Sequence, residues 1–244
     1  MNKEEKELQR FELIKAVSNN ENINIEDNIL EELIFEGKRI VLPNRVLRKL
    51  DLSRINFNNK DLSNTNLSNT NCNINPTKVY CKDLSSTSLE NVNMQGKSFD
   101  DVIIIECNLK GTHANIDPQK VKNKSLCFAN LEGLNMKDKL FDGVNIIGCN
   151  LKNTNANIDP NKVYNKNLSY ANLEGINMAD KCFDGVNINN CNLKNTNYYI
   201  NFNKTIFNSK TIFNKNNNTK HNTNLFLFKD NTYYKYIDIN KFFN

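Results

Sequence analysis

The sequence of 244 residues has no tryptophan, only two histidines, four prolines and eight glycines. It also has no stretch near 18 consecutive apolar residues, so no membrane-spanning helix and no membrane association are predicted. Histidine is scarce, and there is no HExxH, GxSxG or phosphate-loop motif. The sequence therefore shows no known motif for metal-dependent or nucleophilic catalysis. We therefore predict no catalytic residue, no cofactor and no metal site.

What the sequence has in excess is asparagine, with 51 residues. Apolar residues make up 39% and the net charge is only +5, which argues against wholesale disorder. A polar excess carried by one neutral amide is typical of a repetitive architecture or a low-complexity tract. Seven cysteines without a signal peptide at Met1 favour free thiols in a reducing compartment, so the expected location is the cytoplasm.

The sequence repeats with a period of 42 residues. Residues 112–153 match residues 154–195 at 31 of 42 positions, and residues 70–111 match 112–153 at 22. Within this long unit lies a repeat of five residues, with a large apolar residue at its centre and, mostly, Asn just before it. Five such quintets follow one another without a gap from Ala171 to Asn195.

These quintets resemble the pentapeptide-repeat family, whose pattern is A(D/N)LXX, over most of the chain. The resemblance implies a right-handed quadrilateral parallel β-helix, with one quintet on each side and four in each coil. The residues agree, since a period of five fits neither an α-helix nor an alternating strand. We expect an all-β fold with residues 1–39 as an N-terminal α-helical cap, 40–202 as the solenoid, and 203–244 as a C-terminal loop and hairpin cap.

The quintet frame predicts which side chains fill the core. The central residue points inward, so we expect burial of Leu131, Met136, Phe141, Ile146 and Leu151. The residue two positions earlier also points inward, and in several quintets it is a lysine. Because a buried unpaired ammonium is very costly, we expect these side chains to reach out to solvent. They are Lys82, Lys97, Lys124, Lys139, Lys166 and Lys181.

Two helices are predicted before the repeat. The first has an apolar stripe with a spacing of three, formed by Leu8, Phe11, Ile14 and Val17. The second covers Glu26–Phe35 and turns Ile29, Leu30 and Leu33 inward.

Three cysteines recur at the same inward position of the repeat: Cys107, Cys149 and Cys191. Two coils separate neighbouring members by about 10 Å, which is too far for a disulfide or a shared metal ion. We expect them to be buried as small apolar side chains.

The period of 42 exceeds two coils of four quintets by two residues, and each extra pair ends in proline. Proline cannot donate to a backbone ladder, so the pair belongs in a bulge at one corner. The favoured explanation for these recurring pairs is duplication of one ancestral unit together with its bulge. The functional alternative is that the pairs form a row of protruding turns that serves as an interaction edge. The residues of this edge are Asn75, Pro76, Asp117, Pro118, Asp159 and Pro160.

The leading functional prediction is a non-enzymatic protein-interaction scaffold with an unknown protein partner. Some family members are acidic rods that resemble DNA and act on DNA gyrase, so a topoisomerase-directed DNA mimic conferring drug or toxin resistance is the alternative. Residues 50–195 carry 16 basic and 15 acidic side chains, a net charge of +1, which does not match such an acidic surface. Nucleic acid is not expected as a partner, and an enzyme or ligand site in residues 196–244 ranks last.

The C-terminal segment is predicted to form a hairpin from Asn224–Phe228 and Thr232–Ile239. It carries too many aromatic rings to leave in water, so we expect them to pack on the last coil or to form a homodimer contact. These rings are Phe226, Phe228, Tyr233, Tyr234, Tyr236, Phe242 and Phe243.

Overall fold

The backbone of the repeat pairs with itself in parallel, one coil after another. The computed structural model describes residues 1–198, 204–213, 226–229 and 232–235. Most isolated parallel bridges within these ranges join residues 20 or 22 positions apart, as in the series Asn130 with Asn150 and Asn150 with Asn172. Coils of these two lengths add up to the repeat of 42. This pairing is that of a β-solenoid.

The chain separates into two compact units, Met1–Asn115 and Ile116–Asn244. The boundary falls inside the repeat region. The division at residues 39 and 202 expected from the sequence stays a prediction.

The first unit begins with helix α1, Lys3–Ser18. The Asn2 side chain accepts a hydrogen bond from the Glu5 backbone N–H, and the Glu5 carboxylate accepts one from the Asn2 N–H, both at 2.9 Å. This capping box satisfies two donors at the start of the helix. The following elements are α2 (Asp27–Ile34), β1 (Phe35–Glu36), β2 (Arg39–Ile40) and α3 (Asn44–Leu47), with β1 and β2 antiparallel.

The predicted apolar stripe of α1 is wrong. The side chains of Leu8 and Phe11 are 60% and 66% exposed, whereas Leu13 and Val17 are buried. Residues three apart drift by about 60° around a helix, so Leu8 and Val17 lie on opposite sides. Arg10 fixes the inward side, because its guanidinium donates to the carbonyls at the end of α2. The Ile29 side chain of α2 is also exposed, against prediction.

Arg10 satisfies carbonyls that a helix end leaves without partners. Its Nε donates to the Leu33 carbonyl at 2.9 Å, and one terminal nitrogen donates to the Phe35 carbonyl at 3.0 Å. Arg10, Leu13 and Val17 follow the spacing i, i+3, i+7 and therefore share one face of α1. Within the described part of the chain, no helix has the length and apolar character needed to cross a membrane.

The second unit has few strands, because each side of a coil is short. Strand β3 (Asn177–Met178) pairs in parallel with β4 (Asn197–Tyr198). Strands β5 (Phe226–Lys229) and β6 (Thr232–Lys235) form an antiparallel hairpin within the region where the sequence predicts one. The packing of the C-terminal aromatic side chains lies outside the described residues, so their role as a cap or dimer contact stays a prediction.

The core consists of the quintet centres. Leu131, Met136, Ile146 and Leu151 have no exposed surface, and Phe141 is 2% exposed. The prediction for these five side chains is confirmed.

Buried threonines are a core feature that the quintet pattern did not predict. The hydroxyl of Thr112 donates to the Leu109 carbonyl at 2.7 Å, and that of Thr154 donates to the Leu151 carbonyl at 2.7 Å. Each bond satisfies a hydroxyl that would otherwise be costly to bury. The recurrence of Thr at intervals of 42 was visible in the sequence.

Two backbone roles explain the excess of asparagine. Just before a quintet centre, the Asn side chain accepts from the N–H two residues later, as Asn130 does from Glu132 and Asn172 from Glu174, both at 3.2 Å. At corners, Asn adopts the left-handed conformation, with φ of 56° at Asn153 and 57° at Asn195. Asn is the non-glycine residue best suited to both roles.

Candidate functional site

The inserted pairs are built into the coils. The proline of each pair is buried; these are Pro76, Pro118 and Pro160. Ile158, two residues before Pro160, is also fully buried. The insertion therefore fills the core instead of protruding as a bare turn. The proposed interaction edge itself stays a prediction.

The polar residue of each pair is half-buried and caps a turn. The side chains of Asn75, Asp117 and Asp159 accept from the backbone N–H two residues later, at 3.2, 3.0 and 3.0 Å. These oxygens are therefore already engaged within the chain.

The residue after each proline of the second unit bridges to the next coil. The Gln119 side-chain amide donates to the carbonyls of Leu140 at 3.2 Å and Asp142 at 2.9 Å. The Asn161 amide donates to the Cys182 carbonyl at 2.6 Å. Side-chain amides thus bond backbone carbonyls of the next coil beside the bulge.

The three recurring cysteines are fully buried, as predicted. Loss of solvent raises the pKa of Cys107, Cys149 and Cys191 far above the ordinary thiol range. Cys81 and Cys182 are exposed. Over the residues that the structure describes, no group of three His, Cys, Asp or Glu side chains could hold a metal ion.

We expect a thiol reagent to distinguish these cysteines in the folded protein. Maleimide should label Cys81 and Cys182 rapidly, because both are exposed, and should leave Cys107, Cys149 and Cys191 unmodified. Peptide mapping by mass spectrometry measures the sites, and labelling in urea provides the control in which all cysteines react. Rapid native labelling of Cys149 would contradict its burial.

Stability should fall at alkaline pH, and Cys72 should contribute to the decline. Burial raises the pKa of this thiol to about 11, whereas an unfolded thiol ionises near pH 8.5. Between these values the unfolded chain loses a proton that the folded protein keeps. The stabilisation is therefore fully present below the unfolded pKa and is lost as the pH rises through the folded pKa.

The measurement for Cys72 is the urea midpoint across this pH range, with Cys72→Ala as the matched variant. Alanine occupies the equivalent positions 114 and 156, so the substitution suits the fold. We expect the variant to lose less stability between neutral and alkaline pH than the natural protein. An identical decline in both would show that Cys72 contributes nothing to it.

The lysines at inward positions reach solvent, as predicted. Each is half-buried or exposed. The Lys97 ammonium donates to the Asn73 side-chain oxygen at 2.6 Å, and Lys181 donates to that of Asn157 at 2.7 Å. Lys124 and Lys166 are exposed and make no ion pair or side-chain hydrogen bond with the residues that the structure describes.

One side of the second unit brings four consecutive backbone segments together. Phe128 N–H donates to the Ile147 carbonyl at 2.8 Å, Gly148 N–H to Ser169 at 2.9 Å, and Tyr170 N–H to Asn189 at 2.8 Å. We call the outward surface of these segments the aromatic face. It comprises residues 124–128, 144–148, 166–170 and 186–190.

Two aromatic side chains stand exposed on the aromatic face. Phe128 is 50% and Tyr170 is 58% exposed, and their φ angles are 55° and 62°. This left-handed conformation costs a non-glycine residue about 1–2 kcal/mol. The Phe128 ring lies against Gly148, where a Cβ atom would collide with it. Both aromatics are thus held in an unfavourable backbone conformation while half of each side chain remains in solvent.

The neighbouring side of the same unit has a different character. We call the surface of residues 130–132, 150–152, 172–174 and 192–194 the amide face. Asn150 donates to the Asn130 side-chain oxygen at 2.9 Å, and Asn192 donates to that of Asn172 at 3.0 Å. These bonds form a ladder of amides between coils.

Charges on the amide face compensate one another. The Lys152 ammonium lies 3.1 Å from the Glu174 carboxylate. The hydrogen bond and the charge of Lys152 hold the pKa of Glu174 below its ordinary value. The aromatic face, in contrast, contains two lysines and no carboxylate among its residues. The two faces therefore offer a partner very different electrostatics.

An open depression of about 580 Å³ lies on the first unit and is lined mostly by polar residues, among them Arg48, Asp51 and Asn71. The Asn71 amide donates to the Asp51 carboxylate at 2.7 Å, and its oxygen accepts from the Leu52 N–H at 2.7 Å. The Asn71 amide and the Asp51 carboxylate therefore already have hydrogen-bond partners within the chain. The hypothetical ligand site in residues 196–244 falls mostly outside the described residues and stays untested.

No family model and no curated protein matches the sequence. Among solved structures, the chain is similar to HetL, a pentapeptide repeat protein involved in heterocyst differentiation regulation from the cyanobacterium Nostoc sp. strain PCC 7120, at 15% identity and a TM-score of 0.27. It is also similar to Rfr23, a pentapeptide repeat protein from the cyanobacterium Cyanothece 51142, at 21% identity and a TM-score of 0.10. The matches cover 63% of this chain and 55% and 63% of those chains. Both of these structural neighbours are pentapeptide repeat proteins.

Proposed function

We propose that this protein is a non-enzymatic pentapeptide-repeat scaffold that binds a protein partner. In this proposal the coils form a right-handed quadrilateral β-helix, the N-terminal helices cap it, and the cytoplasm is the working location. Seven free cysteines are consistent with a reducing compartment. The observation that carries the proposal is the aromatic face.

Several features of this face favour a protein as its ligand. Phe128 and Tyr170 are exposed, and Ile147 lies half-buried between their segments. Protein interfaces are enriched in aromatic side chains, and clustered exposed apolar groups mark interaction sites on soluble proteins. A β-solenoid holds such side chains at fixed spacing, because each belongs to a coil that pairs with its neighbours.

The charges of the described faces do not favour the topoisomerase-directed alternative. A DNA mimic needs a continuous acidic stripe. On the amide face, the outward position alternates between Glu132, Lys152, Glu174 and Lys194. A supercoiling assay with purified DNA gyrase tests this alternative, and we expect no inhibition and no protection.

Site-specific photo-crosslinking tests the scaffold proposal. Benzoylphenylalanine replaces Ile147 on the aromatic face or Lys152 on the amide face, and the host cells are irradiated. We expect a discrete crosslinked protein from position 147 and none from position 152. Crosslinking from neither position, or equal crosslinking from both, would contradict a partner on the aromatic face.

A further inference from the structure

We propose that the aromatic face binds an acidic segment of a protein partner. Apolar or aromatic side chains of the segment pack on Phe128 and Tyr170, and its carboxylates pair with Lys124 and Lys166. This inference rests on the proposed function, because it assigns a partner class to the same surface.

Backbone strain is the first argument. The corner position of Phe128 and Tyr170 is occupied by Gly148 and Asn190 in the alternate coils of the second unit, and both suit a positive φ. An aromatic residue there gains little burial in return for its strain, since half of each side chain is exposed. Positive φ recurs at many corners of the repeat, but almost all the other non-glycine residues there are polar. A large ring kept in solvent at such a corner is therefore available to a ligand.

A missing carboxylate is the second argument. In the first unit, Lys82 pairs with Asp101 at 3.2 Å. Lys124 and Lys166 stand one and two repeats of 42 after Lys82. The positions one and two repeats after Asp101 are occupied by Gly143 and Gly185. The second unit therefore keeps the lysines without the equivalent internal carboxylate. An acidic ligand supplies a carboxylate in the place of the missing aspartate.

The spacing of the two lysines suits an extended segment. Their backbone positions are two coils apart, a rise of about 10 Å. About three residues of an extended chain span this distance, and in the polyproline II conformation residues three apart lie on the same side. A second copy of the same face is a poor occupant, because it would bring lysines to lysines without any carboxylate from either face.

Synthetic polymers test this chemistry before the partner is known. The probe is a fluorescent random copolymer of glutamate and tyrosine, and the comparison probes are polyglutamate, a copolymer of lysine and tyrosine, and oligothymidylate. Fluorescence anisotropy at low and high salt measures binding to the full chain. We expect the glutamate–tyrosine copolymer to bind best and to weaken as salt increases.

Two double variants separate the two arguments. K124E with K166E reverses the charge, and F128N with Y170N removes the rings. Each should weaken copolymer binding by roughly tenfold or more. Asn suits a positive φ, so the second variant should keep or raise the thermal midpoint, which shows that lost binding is not lost folding. Lys137→Glu and Leu140→Asn are the matched controls, since both residues are exposed on the same unit outside the face.

Three results would overturn the inference. Equal copolymer binding by the natural protein and both double variants would show that the aromatic face does not bind the copolymer. Stronger binding of oligothymidylate, lost in the same variants, would make the ligand a nucleic acid. Absence of copolymer binding, together with crosslinks from position 147, would refute the acidic segment and leave the scaffold proposal standing. Absence of those crosslinks refutes the scaffold itself.

Discussion

Replacing Phe141 with alanine should lower the free energy of unfolding by about 3–5 kcal/mol, the usual cost of removing a buried phenylalanine. Its side chain is 2% exposed at a quintet centre. The Gln119 amide holds the carbonyls of Leu140 and Asp142, and the Gly143 N–H donates to the Lys162 carbonyl. These bonds restrict collapse around the vacated volume, so the cavity should persist. Urea unfolding followed by circular dichroism measures the change.

The adjacent residue provides the matched control. Leu140 is 64% exposed, and its backbone carbonyl accepts from the Gln119 amide. Leu140→Ala removes a large aliphatic side chain from the same quintet, yet it should change stability by less than about 0.5 kcal/mol. A comparable loss in both variants would mean that the inward and outward positions of the quintet have been assigned wrongly.

Deleting Asp159 and Pro160 together should destabilise the protein by about 2–4 kcal/mol. The deletion removes a buried proline and the carboxylate that accepts from Asn161 N–H. It also displaces the Asn161 amide from the Cys182 carbonyl. Each lost hydrogen bond contributes about 1 kcal/mol, and the lost burial contributes the remainder.

Asn161→Ala isolates one part of this effect. It removes only the side-chain bridge to the next coil, so we expect a loss of about 1 kcal/mol. The urea midpoints of the two variants should therefore differ clearly. An unchanged midpoint after the deletion would show that the bulge is dispensable and was retained by duplication alone.

The sequence predicted the core well because burial repeats with the quintet. Leu131 and Ile146 are buried for the same geometric reason as every other centre. The prediction for α1 failed because nothing in the repeat governs the helix. Its inward side depends on a long-range bond from Arg10 to the Leu33 carbonyl, which no local pattern reveals.

The candidate site was much harder to predict, because outward positions obey no packing rule. Phe128 and Tyr170 recur 42 residues apart, and this interval was visible in the sequence. Their exposure and their positive φ were not, since both depend on which corner the residues occupy. Lys124 and Lys166 were predicted correctly to reach solvent. The sequence alone did not show that they lack an internal carboxylate, because this follows only from the pairing of Lys82 with Asp101 in the first unit.

The alternation of coil lengths limits how such a chain can grow or shrink during evolution. In the second unit, Gln119 and Asn161 each bridge from a longer coil to a plain quintet in the coil that follows. Loss of a single coil would bring two bulged coils together and leave these amides facing another bulge. Gain or loss of two coils would preserve every bridge. The smallest module that unequal recombination can add or remove without misfolding is therefore the full 42-residue repeat, and chains of this type should differ in length by whole multiples of it.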